Sequence, residues 1–323
     1  MFLIKLKMIR KYVLVLFLVV NFLKINAQNS MQFTNYVFNS FYLNPGAAGI
    51  LNKTVVQANV RSQYTSYSGT FDNGGSVINN VFSADLPLSK IAGGLGIYFS
   101  SSNTSKVQNS QEIHISYSYH KKINNNVLGL GISGGLNNQK YFGENYRPRD
   151  ENDPLIPNSN LNFSSPDLNI GAFLFNPNYQ LGFSIRNILE PKYKFNNLTT
   201  SPVEKRKYIL SGKIDFGVSY TLDLSPMFII KSDLNTISTE LGVLANYNQK
   251  YWGGINYRWQ DAASILIGGN FLKNNIKVGY ALDIVNFGVL AKSPTSHEIF
   301  VRYILNPPRI GKKSIIKTPR YNI

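Results

Sequence analysis

Apolar side chains recur at every second position through much of this chain. In Leu241-Gly-Val243-Leu-Ala245-Asn-Tyr247, Tyr251-Trp-Gly-Gly-Ile255-Asn-Tyr257-Arg-Trp259 and Ile265-Leu-Ile267-Gly-Gly269-Asn-Phe271 the places between are often Gly, Asn or Arg. Successive side chains leave a pleated backbone on opposite faces, so a period of two predicts strands. Only a few residues, such as Asn248-Gln249-Lys250, separate the runs, which predicts antiparallel hairpins. The same alternation is clear in Ile113 to Tyr119, Leu128 to Ile132 and Ile214 to Tyr220. The opposite face of these runs holds Glu112, His114, Ser116, Asp215, Ser219 and many glycines.

About 14 such runs are predicted, starting near Lys53, Gly75, Lys90, Gln108, Asn126, Pro166, Tyr179, Lys207, Pro226, Thr239, Tyr251, Ala263, Asn275 and Ser296. Their connections sort by length. Ser62–Gly74, Lys140–Ser165, Ile188–Arg206 and Ile284–Thr295 are long and fall at odd connections. Those near Asp85–Ser89, Lys122–Asn125, Asn176–Asn178, Leu224–Ser225, Asn248–Lys250 and Lys273–Asn274 are short and even. Long loops on one side and tight turns on the other are how outer-membrane barrels are built. The prediction is an all-β fold: a single transmembrane, antiparallel, up-and-down β-barrel with long extracellular loops and short periplasmic turns. Its apolar rows would meet lipid and its Gly, Ser, Asn and charged rows the lumen. A soluble β-sandwich would alternate too, but would not sort its loops.

Composition moves the picture the same way. Charged residues make up 15% of the chain, against roughly 25% in ordinary soluble domains, and Tyr and Phe number 20 each. Lys5, Lys7, Arg10 and Lys11 precede an apolar run, Tyr12 to Leu23, and Ala27 offers a small residue for cleavage, so residues 1–27 read as a signal peptide. The absence of cysteine excludes disulfides and a lipid-modified N-terminal Cys. The formal charge of +16 falls to +11 once Lys5, Lys7, Arg10, Lys11 and Lys24 leave with the signal. That balance suits anionic lipid headgroups or an acidic protein, and nucleic acid is not expected for an exported chain. Residues 28–52 contain Asn44-Pro-Gly46-Ala-Ala-Gly49, which suits neither strand nor helix interiors. They form either a connecting arm or a piece tucked into the barrel mouth. The barrel spans 53–305, and 306–323 is a basic periplasmic tail carrying Arg309, Lys312, Lys313, Lys317 and Arg320.

Candidate catalytic and metal motifs fail on spacing. Gly129-Leu-Gly131-Ile-Ser-Gly134 spells a dinucleotide fingerprint but lies inside a strand and opens no helix. His297-Glu298 begins like a zinc-protease helix, yet position 301 is Val and the run reads as strand. His114 and His120 share a strand face with Glu112, Ser116 and Ser118, but spacing identifies no catalytic partner. The carboxylates of Arg147-Pro-Arg-Asp150-Glu-Asn-Asp153-Pro lack the Gly-punctuated spacing of a calcium loop. No enzyme, cofactor or metal is expected.

The stretch Gln32-Phe-Thr-Asn-Tyr36-Val-Phe38-Asn39-Ser-Phe-Tyr-Leu-Asn44-Pro45-Gly-Ala-Ala-Gly49 resembles the opening motif of the PorP/SprF family, membrane proteins of the type IX secretion system in Bacteroidetes. Further similarity lies in Arg61-Ser-Gln63-Tyr64, Trp252-Gly-Gly-Ile-Asn-Tyr257-Arg258-Trp-Gln-Asp261, Ser296-His297-Glu298-Ile299 and Thr318-Pro319-Arg320-Tyr321. Ser40, Gly46 and Tyr64 depart from the family's usual Pro, Ala and Trp. The resemblance implies an outer-membrane barrel that works with periplasmic secretion-ring proteins. It also implies a role in secretion or surface anchoring of large adhesins, often in gliding bacteria. The candidate partner-binding residues are Tyr36, Phe38, Asn39, Asn44, Pro45, Gly49, Arg61, Gln63, Trp252, Tyr257, Arg258, Asp261, His297, Glu298, Pro319 and Arg320, though the same motifs are also good turn and strand-packing chemistry. The alternative reading is a passive, porin-like solute channel.

Overall fold

The computed structural model describes residues 31–65, 76–88, 91–104, 107–145, 159–190, 204–286 and 294–306. Its strands are β1 (Thr54–Gln63), β2 (Val77–Leu88), β3 (Gly93–Thr104), β4 (Gln108–Ile123), β5 (Asn126–Tyr141), β6 (Leu161–Asn176), β7 (Tyr179–Arg186), β8 (Lys207–Ile214), β9 (Phe216–Gly217), β10 (Leu222–Ser232), β11 (Ile237–Tyr247), β12 (Tyr251–Arg258), β13 (Ala262–Phe271), β14 (Ile276–Val285) and β15 (Thr295–Leu305). Each pairs antiparallel with its sequence neighbours, except that β8 and β9 both pair with β10 and not with each other, and β1 pairs with β15, so the sheet closes on itself. The two-residue β9 continues β8, which makes a closed barrel of fourteen staves. No described helix is long and apolar enough to cross a membrane; this chain crosses with strands.

The faces follow the alternation. Ile115 and Ile255 on the outer face are 61% and 67% exposed, whereas Asn59, Ser100, His114, Asn137 and Glu298 point inward and are fully buried. A wall in lipid needs its apolar row outward, and closure leaves no unpaired edge.

Three strand starts differ from the sequence expectation by more than two residues: β3 begins at Gly93 rather than near Lys90, and the other two differ at a proline. Pro166 lies inside β6, beyond the stretch that pairs with β7, which begins at Ile170. Pro226 lies inside β10, opposite the gap between β8 and β9. The register is the same on both sides of that gap (Met227 opposite Lys213, Leu224 opposite Phe216), so the gap reflects the missing N–H of Pro226 and no slip. The run from Ile214 to Tyr220 is likewise shorter as a strand than its alternation suggests. Val218 and Ser219 donate to the Leu222 carbonyl, so the turn sits at Val218–Thr221. Ser219 is exposed in that turn, while Asp215 is half-buried and pairs with Lys213 at 2.8 Å.

One end of the barrel carries the connections after β1, β5, β7 and β14, and the other carries only tight turns such as 124–125 and 177–178. The long-loop end is not uniform: β10 joins β11 through 233–236, and β12 joins β13 through 259–261.

Candidate functional site: a lumenal strap and its charge clasp

The segment from Met31 to Leu51 does not stop at the mouth. It runs through the lumen from the long-loop end to the tight-turn end. Thr34 touches Asp283 and Glu298, near the long-loop ends of β14 and β15. Gly46, Ala48 and Gly49 touch Ser118, His120 and Asp85, toward the tight-turn ends of β4 and β2. Three single turns give it shape: 3-10 turns at Tyr36–Phe38 and Pro45–Ala47, and one α-helical turn at Ser40–Leu43.

Asn44 fixes the inner half. Its Oδ1 accepts from Gly46 N at 2.8 Å, capping the turn that Pro45 opens. Its Nδ2 donates to the carbonyls of Ala172 and Phe183, paired residues of β6 and β7, at 2.9 and 3.0 Å. Ser184 Oγ donates to Leu43 O at 2.7 Å and Ser118 Oγ to Gly46 O at 2.9 Å. The strand wall beneath is stripped to glycine: Gly129 and Gly131 lie against Pro45 and Gly46, Gly171 and Gly182 against Asn44, and Gly94 against Ala48 and Gly49. Gly49 itself adopts φ +65°, the left-handed region that glycine enters without a Cβ clash, and its N–H donates to Asp85 at 2.9 Å. The glycines of the fingerprint-like run thus serve backbone approach by the strap, except Gly134, whose missing side chain would meet nothing.

The outer half is held by charge. Thr34 Oγ1 donates to Asp283 Oδ1 at 2.8 Å and accepts from Arg61 Nη1 at 2.8 Å and Arg258 Nη2 at 3.2 Å. One hydroxyl therefore uses its proton and both lone pairs. Glu298 accepts two consecutive backbone N–H groups, from Thr34 at 2.6 Å and Asn35 at 3.1 Å. Arg61 pairs with Asp283 at 2.6 Å and Glu298 at 3.4 Å, and Arg258 with Glu240 at 2.8 Å, Asp261 at 3.0 Å and Asp283 at 3.4 Å. Arg61, Arg258, Asp283 and Glu298 are at most 1% exposed. Charges so deep persist only when paired and hydrogen-bonded.

Two further clusters complete the packing. Phe38 packs against both Trp252 and Phe300, with ring centroids 4.7 and 4.9 Å away, and Lys277 Nζ lies 4.8 Å from its centroid. Across the lumen Arg186 pairs with Glu112 at 2.7 Å and lies over the Tyr42 ring at 4.5 Å. Beside the barrel rim, Glu204 accepts from Gln139 and Asn137, and burial pushes its carboxyl above the usual range.

The motif residues named from the sequence separate by face. Tyr36, Phe38, Asn39, Asn44, Pro45, Gly49, Arg61, Trp252, Arg258 and Glu298 converge in the lumen, and Asp261 joins them through Arg258. Tyr257 faces outward at 42% exposure, and His297 meets Tyr280 OH at 2.7 Å on that same outward side. Gln63 is half-buried at the long-loop end of β1. Pro319 and Arg320 lie outside the described residues, as do the signal peptide, the 147–154 loop and all of the basic tail beyond residue 306.

The histidines also find partners that spacing hid. His114 Nδ1 is 3.3 Å from Ser133 Oγ and its Nε2 is 3.8 Å from Asp167 Oδ2, while His120 Nε2 is 2.9 Å from Ala48 O. The Ser133–His114–Asp167 set has triad members, but Ser133 is 1% exposed and the ring stacks on Tyr98 at 5.0 Å, which leaves an acyl group no approach. Among the described residues no three His, Asp or Glu side chains converge as metal ligands. Sequence reasoning missed Thr34, Asp283 and Glu240. Asp283 and Glu240 had one legible signal, a charge on an inward-facing strand row, and Thr34, which lies in the strap, had none of that kind.

The family model for the type IX secretion system membrane protein PorP/SprF matches residues 25–303. The chain belongs to the PorP/SprF family. No curated protein matches this PorP/SprF sequence. Similar solved structures include a Pseudomonas aeruginosa FadL homologue (12% identity, 83% of this chain and 93% of that one, TM-score 0.47). Others are the Pseudomonas putida toluene transporter TodX (10%, 86% and 95%, 0.46) and the Acinetobacter baumannii outer membrane protein Omp33 (7%, 78% and 97%, 0.43). The family and the closed barrel together describe an outer-membrane component of type IX secretion.

Proposed function

We propose that this PorP/SprF protein is a non-enzymatic coupling barrel, exported by a cleaved signal peptide. It engages periplasmic secretion-ring proteins at its tight-turn end and supports secretion or surface anchoring of adhesin-type cargo at its long-loop end. The observation that carries this reading is the family match over 25–303. The occupied lumen adds support: a strap from Met31 to Leu51 held by hydrogen bonds to buried charged side chains and by close backbone contacts suits a regulated component better than a constitutive pore.

The test is a pull-down of the tagged protein from outer membranes in mild detergent. Co-purifying periplasmic ring proteins or a large secreted adhesin is the expected result. Recovery of the barrel alone, conducting ions steadily in a planar bilayer, would replace this reading with a porin-like channel.

A further inference from the structure

We infer that the space filled by Met31–Asn39 is a peptide-binding lane, occupied in this state by the chain's own strap and open to a second polypeptide that displaces it. The two halves of the strap differ in kind. From Asn44 to Leu51 both amide atoms of Asn44 are bonded and the glycine floor excludes any larger fit. In the outer half, Gln32 Oε1, Asn35 Oδ1 and Nδ2, Tyr36 OH and Asn39 Nδ2 are buried without a protein partner among the described residues. A buried polar atom left unpaired weakens the state that holds it. The outer half is therefore the replaceable one. Being the N-terminal side of the strap, it leaves through the long-loop mouth while the Asn44 anchor stays on β6 and β7.

The lane also states what it accepts. Glu298 reads two consecutive backbone N–H groups on one side of the chain, which a peptide supplies when it turns as Thr34–Phe38 does, since an extended strand points successive N–H groups to opposite sides. Asp283, Arg61 and Arg258 converge on one hydroxyl, that of Thr34. Trp252 and Phe300, stacked on each other at 5.9 Å, form a platform for one aromatic ring, that of Phe38, beside Lys277. The partner is thus a segment of another protein that turns as Thr34–Phe38 does, with a hydroxyl residue followed four positions later by an aromatic. This geometry stands apart from the secretion role, so the test uses only purified protein and synthetic peptide.

The chain lacks cysteine, so single thiols report cleanly. Asn35→Cys marks the outer half and Ala48→Cys the inner half. Adding excess peptide with the sequence of residues 31–39 should speed maleimide labelling of Asn35→Cys about tenfold, because an intramolecular strap competes at an effective millimolar concentration that excess peptide must overcome. Labelling of Ala48→Cys should not change. A peptide with Val for the hydroxyl residue and Ala for the aromatic should have no effect. In a second arm, full-length Thr34→Val/Phe38→Ala protein, verified as folded by heat-modifiable migration, should bind the fluorescent native peptide, and adding Glu298→Gln should weaken that binding. Equal labelling with native and altered peptides, or acceleration of both thiols together, would overturn the lane. So would a folded strap-weakened barrel that binds no peptide.

Discussion

At the scale of single residues, the clasp shows why buried charge is tolerated in this lumen. Arg61 and Arg258 lie among Asp283, Glu298, Glu240 and Asp261 with every close pair between 2.6 and 3.4 Å. Removing one partner leaves its neighbours charged, buried and unpaired, which typically costs about 3–5 kcal/mol. Arg61→Met should therefore lower the urea unfolding midpoint of the detergent-solubilised barrel by a correspondingly large amount. Gln57→Ala, further down the same strand and outside any ion pair among the described residues, should shift it far less. Thr34→Val keeps the shape but leaves two guanidinium donors without their acceptor, and about 1–3 kcal/mol is the expected loss in the same measurement.

At the scale of elements, the strap and the glycine-lined wall are matched surfaces. Asn44→Ala removes three hydrogen bonds at once and frees the inner anchor from β6 and β7. Gly131→Val places a branched side chain where Pro45 and Gly46 now lie. Both variants should raise ion conductance in planar bilayers relative to the unsubstituted protein, since each unseats the segment that fills the bore. Gly134→Val, on the same strand but facing open space, should leave conductance unchanged. A rise in the Gly134 variant, or none in the other two, would count against the strap as the obstruction.

At the scale of the whole molecule, the barrel is a wall with two solvents. Its outer rows face hydrocarbon, so Leu130→Arg, placed on an outward row of β5, should destabilise the inserted barrel by about 2–4 kcal/mol if it lies near the bilayer midplane. Heat-modifiability in lipid vesicles would read this as a lower unfolding temperature. The inward rows tolerate charge because the strap and neighbouring strands supply partners, as they do for Arg186 and Glu112.

The strand periods were legible in the sequence because alternation is a local property: eleven of the predicted starts, Lys207 and Tyr251 among them, lie within two residues of the observed ones. Membership in the family was legible because its motifs are contiguous. Pro166 and Pro226 read as boundaries because proline lacks an N–H, yet β6 continues through Pro166 where β7 no longer pairs, and β10 continues through Pro226 with a local gap opposite β8 and β9. The path of Met31–Leu51 through the lumen, and the meeting of Thr34 with Asp283 and Glu298 some 249 to 264 positions away, were decided only by closure of the barrel. Spacing along a chain carries pleat and turn. It carries nothing about which side chains a closed wall will turn toward the same point.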